Sequence, residues 1–303
     1  MKRKHLLGLK DMDKSEIIEI LDLSKKMKSV LLSDKKKTDD LKNKTVATLF
    51  YENSTRTKVS FESAAKALSA GTVAIAAQSS SVQKGETLLD TGWTLDALMC
   101  DAIVMRHSMS GAPHLLSKHS KASILNGGDG TNEHPTQALL DLLTIYQKHS
   151  SFKGLKIVIS GDIRHSRVAR SNIFGMVKLG VDLTVVSPYT LLPKDVDQLG
   201  CKVSTDLDKA IDGANVVMGL RLQLERQASG LYPSGSEYHK FFGISNQRLK
   251  RADKNVLLLH PGPINRGLEI SGEAADGDKS LILEQVTNGI AVRMAALKML
   301  IGN

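Results

Sequence analysis

Thr45-Val46-Ala47-Thr48-Leu49-Phe50-Tyr51-Glu52-Asn53-Ser54-Thr55-Arg56-Thr57 is the stretch on which the reading of this chain turns. Thr45 to Phe50 runs apolar with partial alternation, as a buried strand does. Beyond the polar residues 53–57, Phe61, Ala64, Ala65 and Leu68 recur at the spacing of one helix face, and Gly71 supplies a stop. A strand therefore hands over to a helix through a cluster of hydroxyls and one guanidinium. Backbone N–H groups in a first helical turn have no internal partner and carry partial positive charge. With Ser54, Thr55, Arg56 and Thr57 around them, such a turn suits a dianion. Taken alone, the same residues also read as an ordinary Ser/Thr cap beside a surface arginine.

The alternation of strand and helix continues along the chain. Short apolar runs at 72–77, 102–105, 123–125, 156–159, 183–186, 216–218 and 256–259 read as buried strands. A helix is expected near 134–148, with Leu139, Leu142, Leu143 and Tyr146 on one face. The last helix carries Val286, Ile290, Met294, Leu297 and Ile301 at helical spacing. This pattern predicts an α/β protein of two domains, each a mostly parallel sheet flanked by helices. The length, 303 residues, agrees with about two domains. The expected division is 1–133 plus 286–303 for the first domain and 134–285 for the second, joined through helices because no low-complexity linker separates them.

Polar and charged clusters follow the strands. Arg56 comes after Phe50, Arg106-His107 after Met105, and Asp162 to Arg167 after Ile159. Arg221 and Gln223 come after Met218, and His260-Pro261-Gly262-Pro263 after Leu259. Ligands of open α/β sheets bind outside the carboxyl ends of the strands. The expectation is one composite, arginine-rich site in the cleft between the two sheets.

Two further segments bear on its chemistry. Asn126 to Gln137 reads as a flexible, glycine-containing loop that runs into a helix. It places His134 at the helix start, with Pro135 in the first turn and Gln137 one turn on. The positive helix end favours a neutral imidazole, able to donate to a carbonyl without carrying charge. Read alone, the segment is rather a capping loop with a solvent histidine. Ser79 to Glu86 is a polar loop in which Lys84 reads as an anion ligand or as a solvated lysine.

Composition narrows the alternatives. The formal net charge is +9, from 41 basic and 32 acidic residues. Aromatics make up only 4%, which leaves little to stack on nucleic acid bases, so anionic substrates or a solvated basic surface fit better than nucleic acid. Cys100 and Cys201 are far apart and lack metal-type spacing, which fits buried thiols in a reducing cytoplasm. The apolar run after the basic N-terminus is too short for a signal-peptide core, and no stretch approaches the ~20 apolar residues of a membrane helix. Gly161-Asp162-Ile163-Arg164-His165-Ser166-Arg167 lacks the later glycines of a dinucleotide fingerprint. A phosphate-loop lysine motif, paired metal ligands and a glycine-flanked serine nucleophile are also absent from the sequence. What remains is arginines, one placed histidine and hydroxyls. That inventory suits direct transfer between two anions by positioning and charge stabilisation, without metal or cofactor.

Ser54-Thr55-Arg56-Thr57, Gln83-Lys84-Gly85-Glu86, His134-Pro135-Thr136-Gln137 and His260-Pro261-Gly262-Pro263, in this order and spacing, resemble the carbamoyltransferases across essentially the whole chain. Within that family they are similar to the branch that uses aspartate. The resemblance implies a carbamoyl-phosphate domain, an aspartate domain, and a cytoplasmic homotrimer with active sites shared between subunits, acting early in de novo pyrimidine biosynthesis. It implies that Arg56 and Thr57 hold phosphate, helped by Ser54 and Thr55. Arg106, His134, Gln137 and Thr57 surround the carbamoyl group. Lys84, with Ser80, enters from a neighbouring subunit and also serves aspartate. Arg167, Arg221 and Gln223 hold the aspartate carboxylates. Backbone groups of Gly262 and Pro263 face the carbamoyl nitrogen or attacking amine, often with a cis bond before the second proline.

The ornithine branch carries His-Cys-Leu-Pro where this chain has His260-Pro261-Gly262-Pro263, so aspartate is the expected acceptor, with ornithine or another amine as the alternative. An inactive homologue serving as an assembly subunit is the other reading, although no anion-binding arginine is replaced. A separate regulatory chain or a docked dihydroorotase is compatible with these residues but not specified by them. The segment Leu224 to Tyr238, rich in Gly and Ser, is expected to be a loop that closes over substrate.

Overall fold

The computed structural model describes residues 3–76, 85–223, 231–232 and 234–302. The chain divides into two compact units, Met1–Leu143 with Thr287–Asn303, and Thr144–Val286. Both boundaries fall inside helices, Pro135–His149 and Ile282–Ile301.

In the first unit, β1 (Thr45–Phe50), β2 (Gly71–Ala76), β3 (Ala102–His107) and β4 (Ser123–Asp129) form a parallel sheet in the order β2-β1-β3-β4. In the second, β5 (Lys156–Ser160), β6 (Asp182–Val186), β7 (Lys202–Ser204), β8 (Val216–Gly219) and β9 (Leu257–Leu259) are parallel in the order β7-β6-β5-β8-β9. The expected α/β architecture of two helix-flanked parallel sheets is the one found. Ala47, Leu49, Ile103 and Val104, and Ile157, Val158 and Val217, are fully buried, as strands covered on both faces must be.

Each sheet has one place where the strand order reverses. The chain builds β2 on one side of β1 and then crosses to the other side for β3. Likewise it builds β6 and β7 on one side of β5 and crosses to the other for β8. The loops leaving the carboxyl ends of β1 and β3, and of β5 and β8, therefore diverge and leave a crevice.

Several local expectations are corrected. The helix after β1 begins at Thr55 and ends at Ala67, and Ser69 takes the left-handed conformation (φ 66°) ahead of Gly71, which opens β2. Ser69 Oγ lies 2.6 Å from Thr38 O and 2.9 Å from Asp39 Oδ1, both within reach of its one proton, contacts that hold this turn without a glycine. Arg106 and His107 are the last residues of β3 rather than the loop after it. Asn126–Asp129 is the end of β4 and fully buried, not a flexible loop. Glycines 127 and 128 hid that strand, since they lower strand propensity while burial and pairing override it. The edge strand β7 has no apolar run and was not expected. The Leu224–Tyr238 segment is not wholly a loop, because a helix runs over Gly235–Phe242, capped by Ser234 Oγ accepting from Glu237 N. Residues 224–230 and 233 lie outside the described residues, so the lid expected there falls outside them too.

The last helix is less one-sided than its pattern suggests. Val286 is 52% exposed, whereas every residue from Ala291 to Leu297 is buried, Arg293 included. Arg293 Nη1 donates to Ser60 Oγ at 2.9 Å and Lys298 pairs with Asp40 at 2.6 Å, both within the first unit.

Candidate functional site

In the first unit the site residues gather at the crevice between β1 and β3. Ser54 occupies the N-cap position of the helix Thr55–Ala67, yet its side chain accepts no hydrogen bond from the first turn, and that turn holds no acidic residue. Ser166 and Ser234, at equivalent positions of other helices, do cap. Arg56 is exposed and Thr57 buried. The turn thus keeps its positive end, a hydroxyl and a guanidinium available for an anion.

Arg106 is brought beside this turn by strand register. It is the Cα partner of Phe50, and Tyr51 N donates to Arg106 O at 2.9 Å. Its guanidinium is oriented by Gly127 O, 3.2 Å from Nη1, and by Glu52 Oε2, 3.3 Å from Nε. The His107 ring packs against Tyr51 at a tilt of 53°, and Nδ1 accepts from Met109 N. Burial holds its pKa below the usual imidazole range, against the opposing fields of Glu52 and Asp129.

His134 arrives at the end of β4 through a stapled turn. The buried Asp129 carboxyl accepts from Gly111 N (2.7 Å), Asn126 Nδ2 (2.7 Å), Asn132 Nδ2 (3.1 Å) and Glu133 N (3.1 Å). Gly130, at φ 47°, has no room for a side chain, since a Cβ would come 2.4 Å from Ser110 Oγ. Glu133 is buried and accepts from Leu9 N at 2.7 Å and Lys10 N at 3.2 Å, which fastens the N-terminal segment to this turn. His134 is 4% exposed, so it is not a solvent histidine. Gln137, one turn on, donates through Nε2 to Asp141 Oδ1 at 2.9 Å.

In the second unit the crevice between β5 and β8 is organised by Asp162. Fully buried, it accepts from His165 N (3.0 Å), lies 2.9 Å from His165 Nδ1, and accepts from Gln223 N (3.4 Å). Gly161 (φ 142°) precedes it, and a Cβ there would lie 2.3 Å from Leu220 O. That glycine therefore serves the close approach of the β5 and β8 ends rather than a dinucleotide. Arg167 opens the helix Arg167–Leu179 and is 5% exposed, while Arg221 and Gln223 are half-buried just beyond β8. Beyond β9, His260 Nδ1 accepts from Gly262 N at 2.9 Å, and the Gly262–Pro263 peptide is cis, as expected. Glu269 Oε1 accepts from Asn265 N at 2.6 Å and lies 3.3 Å from His260 Nε2.

The structure thus brings Ser54, Thr55, Arg56, Thr57, Arg106, His134 and Gln137 to one sheet end, and Arg167, Arg221, Gln223, Gly262 and Pro263 to the other. Lys84 and Ser80 lie outside the described residues. Sequence reasoning missed the carboxyl groups that set these residues, Glu52, Asp129, Asp141 and Glu269. Asp141 had a signal, four residues from Gln137 on one helix face. Glu269 had none, because its partners are joined only by the fold. Among the described residues, no group of three or more His, Cys, Asp or Glu is placed to hold a metal ion.

Comparison with known proteins yields two family models. The one described as aspartate/ornithine carbamoyltransferase, carbamoyl-P binding domain, matches residues 4–147, and the Asp/Orn binding domain matches residues 153–300. The aspartate carbamoyltransferase catalytic subunit of Acetivibrio thermocellus is 58% identical over 300 residues, covering 99% of this chain and 96% of its own. That of Caldanaerobacter subterraneus is 55% identical, with 99% and 98% covered. Among solved structures, aspartate transcarbamoylase from Trypanosoma cruzi in complex with carbamoyl phosphate aligns with a TM-score of 0.89 at 29% identity, covering 99% of this chain and 97% of that one. Ornithine carbamoyltransferase from Pyrococcus furiosus aligns with a TM-score of 0.87 at 28% identity, covering 98% and 97%.

Proposed function

Because this chain belongs to the aspartate/ornithine carbamoyltransferase family, we propose that it transfers the carbamoyl group of carbamoyl phosphate to the amino group of L-aspartate, giving N-carbamoyl-L-aspartate and phosphate. The observation that carries this reading is positional. Each cluster of anion-binding side chains stands at the point where its own parallel sheet reverses strand order. Two such clusters suit two anionic substrates.

In the first, the uncapped turn at Ser54–Thr57 and Arg56 take the phosphate. Arg106, His134, Gln137 and Thr57 surround the carbamoyl group, the first, second and fourth at its oxygen; backbone groups of Gly262 and Pro263, from the second unit, contact the carbamoyl nitrogen or the attacking amine. In the second, Arg167, Arg221 and Gln223 hold the aspartate carboxylates, since guanidinium groups pair with carboxylates in bidentate fashion. The uncharged amine attacks the carbamoyl carbon, and a new C–N bond forms as the carbonyl oxygen takes up negative charge. Arg106, His134 and Thr57 stabilise that oxyanion. The C–O bond to phosphate then breaks, and phosphate leaves with a proton from the amine.

The protein acts as a homotrimer in which Lys84 reaches a neighbour's site. Trp93, Leu98, Met99 and Leu115, 50%, 60%, 80% and 46% exposed on or beside the helices Leu88–Ala97 and Ala112–Ser117, supply apolar surface for such an interface. A cytoplasmic location accords with two free, buried cysteines, Cys201 being pushed up to about 11 by burial. No helix among the described residues is long and apolar enough to cross a membrane.

The test is product formation from carbamoyl phosphate with L-aspartate, beside L-ornithine, without added metal or nucleotide. Carbamoyl-aspartate and phosphate appearing together support the proposal. Turnover of ornithine instead overturns the roles of Arg221 and Gln223, and a folded protein inert with both points to an assembly subunit.

A further inference from the structure

Arg293 is a buried cation that the reaction described above leaves without a task. It sits on the C-terminal helix Ile282–Ile301, 4% exposed, far in sequence from the other site residues. Its guanidinium lies over the Phe61 ring, 5.0 Å from the centroid, and Nη1 donates to Ser60 Oγ at 2.9 Å. Ser60 and Phe61 belong to the helix that begins at Thr55. Burial pulls the guanidinium down to about 10, and the field of Asp141 works against that fall. Gly289, one turn earlier, makes the room, since a Cβ there would come 2.5 Å from Arg293 Nη1.

Asp141, whose field acts on Arg293, lies on the helix Pro135–His149. It is fully buried and accepts from Gln137 Nε2 at 2.9 Å. A carboxylate has only acceptors to offer, so it fixes which end of the Gln137 amide points at it. The NH2 group turns to Asp141 and the carbonyl oxygen turns away. An asparagine in its place could accept or donate, and the Gln137 amide would lose its preferred orientation.

We propose that Asp141, backed by the charge of Arg293, is a positioning residue that holds Gln137 with its carbonyl oxygen toward the carbamoyl NH2 group. Gln137 then selects a substrate bearing N–H donors at that position. The inference rests on the assignment of Gln137 to the carbamoyl group. Ser60 and Phe61 tie the same arginine to the helix whose first turn takes the phosphate, so one buried cation braces both parts of the carbamoyl-phosphate site.

Acetyl phosphate is the discriminating probe. It has the phosphate and the carbonyl but a methyl group where carbamoyl phosphate has NH2, so it makes no use of the Gln137 oxygen. Binding of both compounds is measured by calorimetry on the intact protein and on Asp141→Asn, Arg293→Met, Arg293→Lys and Gln137→Ala. Asp141→Asn is nearly isosteric and keeps the test valid should Arg293→Met fail to fold. The expected result is a loss of about tenfold in carbamoyl-phosphate affinity in Asp141→Asn and Arg293→Met, the cost of one misdirected buried hydrogen bond. Acetyl-phosphate affinity stays within about twofold, and Arg293→Lys recovers part of the preference. Equal losses for both ligands in Asp141→Asn, with the preference collapsing in Gln137→Ala, overturn the positioning role alone. An unchanged preference in Gln137→Ala overturns the assignment of Gln137, and this inference with it.

Discussion

Asp162 and Gln223, 61 residues apart, are joined by a hydrogen bond from the Gln223 amide to the Asp162 carboxyl at 3.4 Å. The same buried carboxyl receives the His165 amide at 3.0 Å. One acidic side chain thus links the loops that carry Arg167 on one side and Arg221 with Gln223 on the other. Replacing it leaves two donors without an acceptor in a dry place and frees both loops.

Asp162→Ala is therefore expected to raise the KM for aspartate and lower kcat/KM by about 100-fold, as two lost buried hydrogen bonds to a charged group would. Carbamoyl-phosphate binding should stay within about twofold, because its proposed ligands Arg56, Arg106 and His134 belong to the other sheet. Steady-state kinetics with separate binding measurements check both halves. A parallel loss of carbamoyl-phosphate affinity would contradict the local role.

Arg56 is exposed and lies at the helix N-terminus, so it adds little to stability and much to anion binding. Arg56→Ala should leave the melting temperature nearly unchanged and lower kcat by roughly 100- to 1,000-fold, the scale of losing one charge-stabilising donor. Turnover near that of the unaltered protein would remove Arg56 from the site.

Glu133 tells the opposite story. Its carboxyl takes the Leu9 and Lys10 amides, and the space above Gly8 is filled by it, with a Cβ at Gly8 falling 2.1 Å from Glu133 Oε1. Glu133→Ala should destabilise the protein by about 2–3 kcal/mol by orphaning those amides. Hydrogen exchange at Leu9 should accelerate with it, and Glu133→Gln should recover part of the loss. Unaltered exchange at Leu9 would count against this fastening.

Stability should also fall with acid in a defined window. His5 Nδ1 accepts from Ile124 N at 3.0 Å, and burial, with Lys4 nearby, holds its pKa below the ordinary 6.5. A histidine harder to protonate when folded than when unfolded binds more protons in the unfolded state. Its contribution is therefore complete above about pH 6.5 and is lost progressively below it, down to the lowered folded value. His107, shifted the same way by burial, adds to the effect. Melting temperatures between pH 7.5 and 5 should decline, and His5→Gln, a neutral side chain with an acceptor, should flatten the decline. An equally steep curve in that variant would assign the acid sensitivity elsewhere.

Much of this protein is legible in its amino-acid order, for reasons that are local. Apolar runs such as Thr45–Phe50 and Ile157–Ile159 announce buried parallel strands, and the turn chemistry of Ser54–Thr57 and Pro135 announces helix starts. Those signals need only periodicity and a few neighbours, and they were enough to place Arg56, Arg106, Arg167 and Arg221 near strand ends and His134 at a helix start. Where they failed, tertiary burial outweighed them, as in Asn126–Asp129, whose glycines look like loop yet pair in β4.

Strand order, by contrast, was settled only by the folded chain. Nothing in the sequence says that β3 pairs with β1 rather than β2, or that β8 pairs with β5, and those pairings create the two crevices. The same holds for the polar groups behind the site. Asp162 reaches Gln223, and Arg293 reaches Ser60, across separations that no periodicity encodes. The residue types and the chemistry they permit follow from sequence because they depend on each side chain and its immediate neighbours. The orientation of those side chains follows from packing, because a buried polar group must find its partner wherever the fold supplies one.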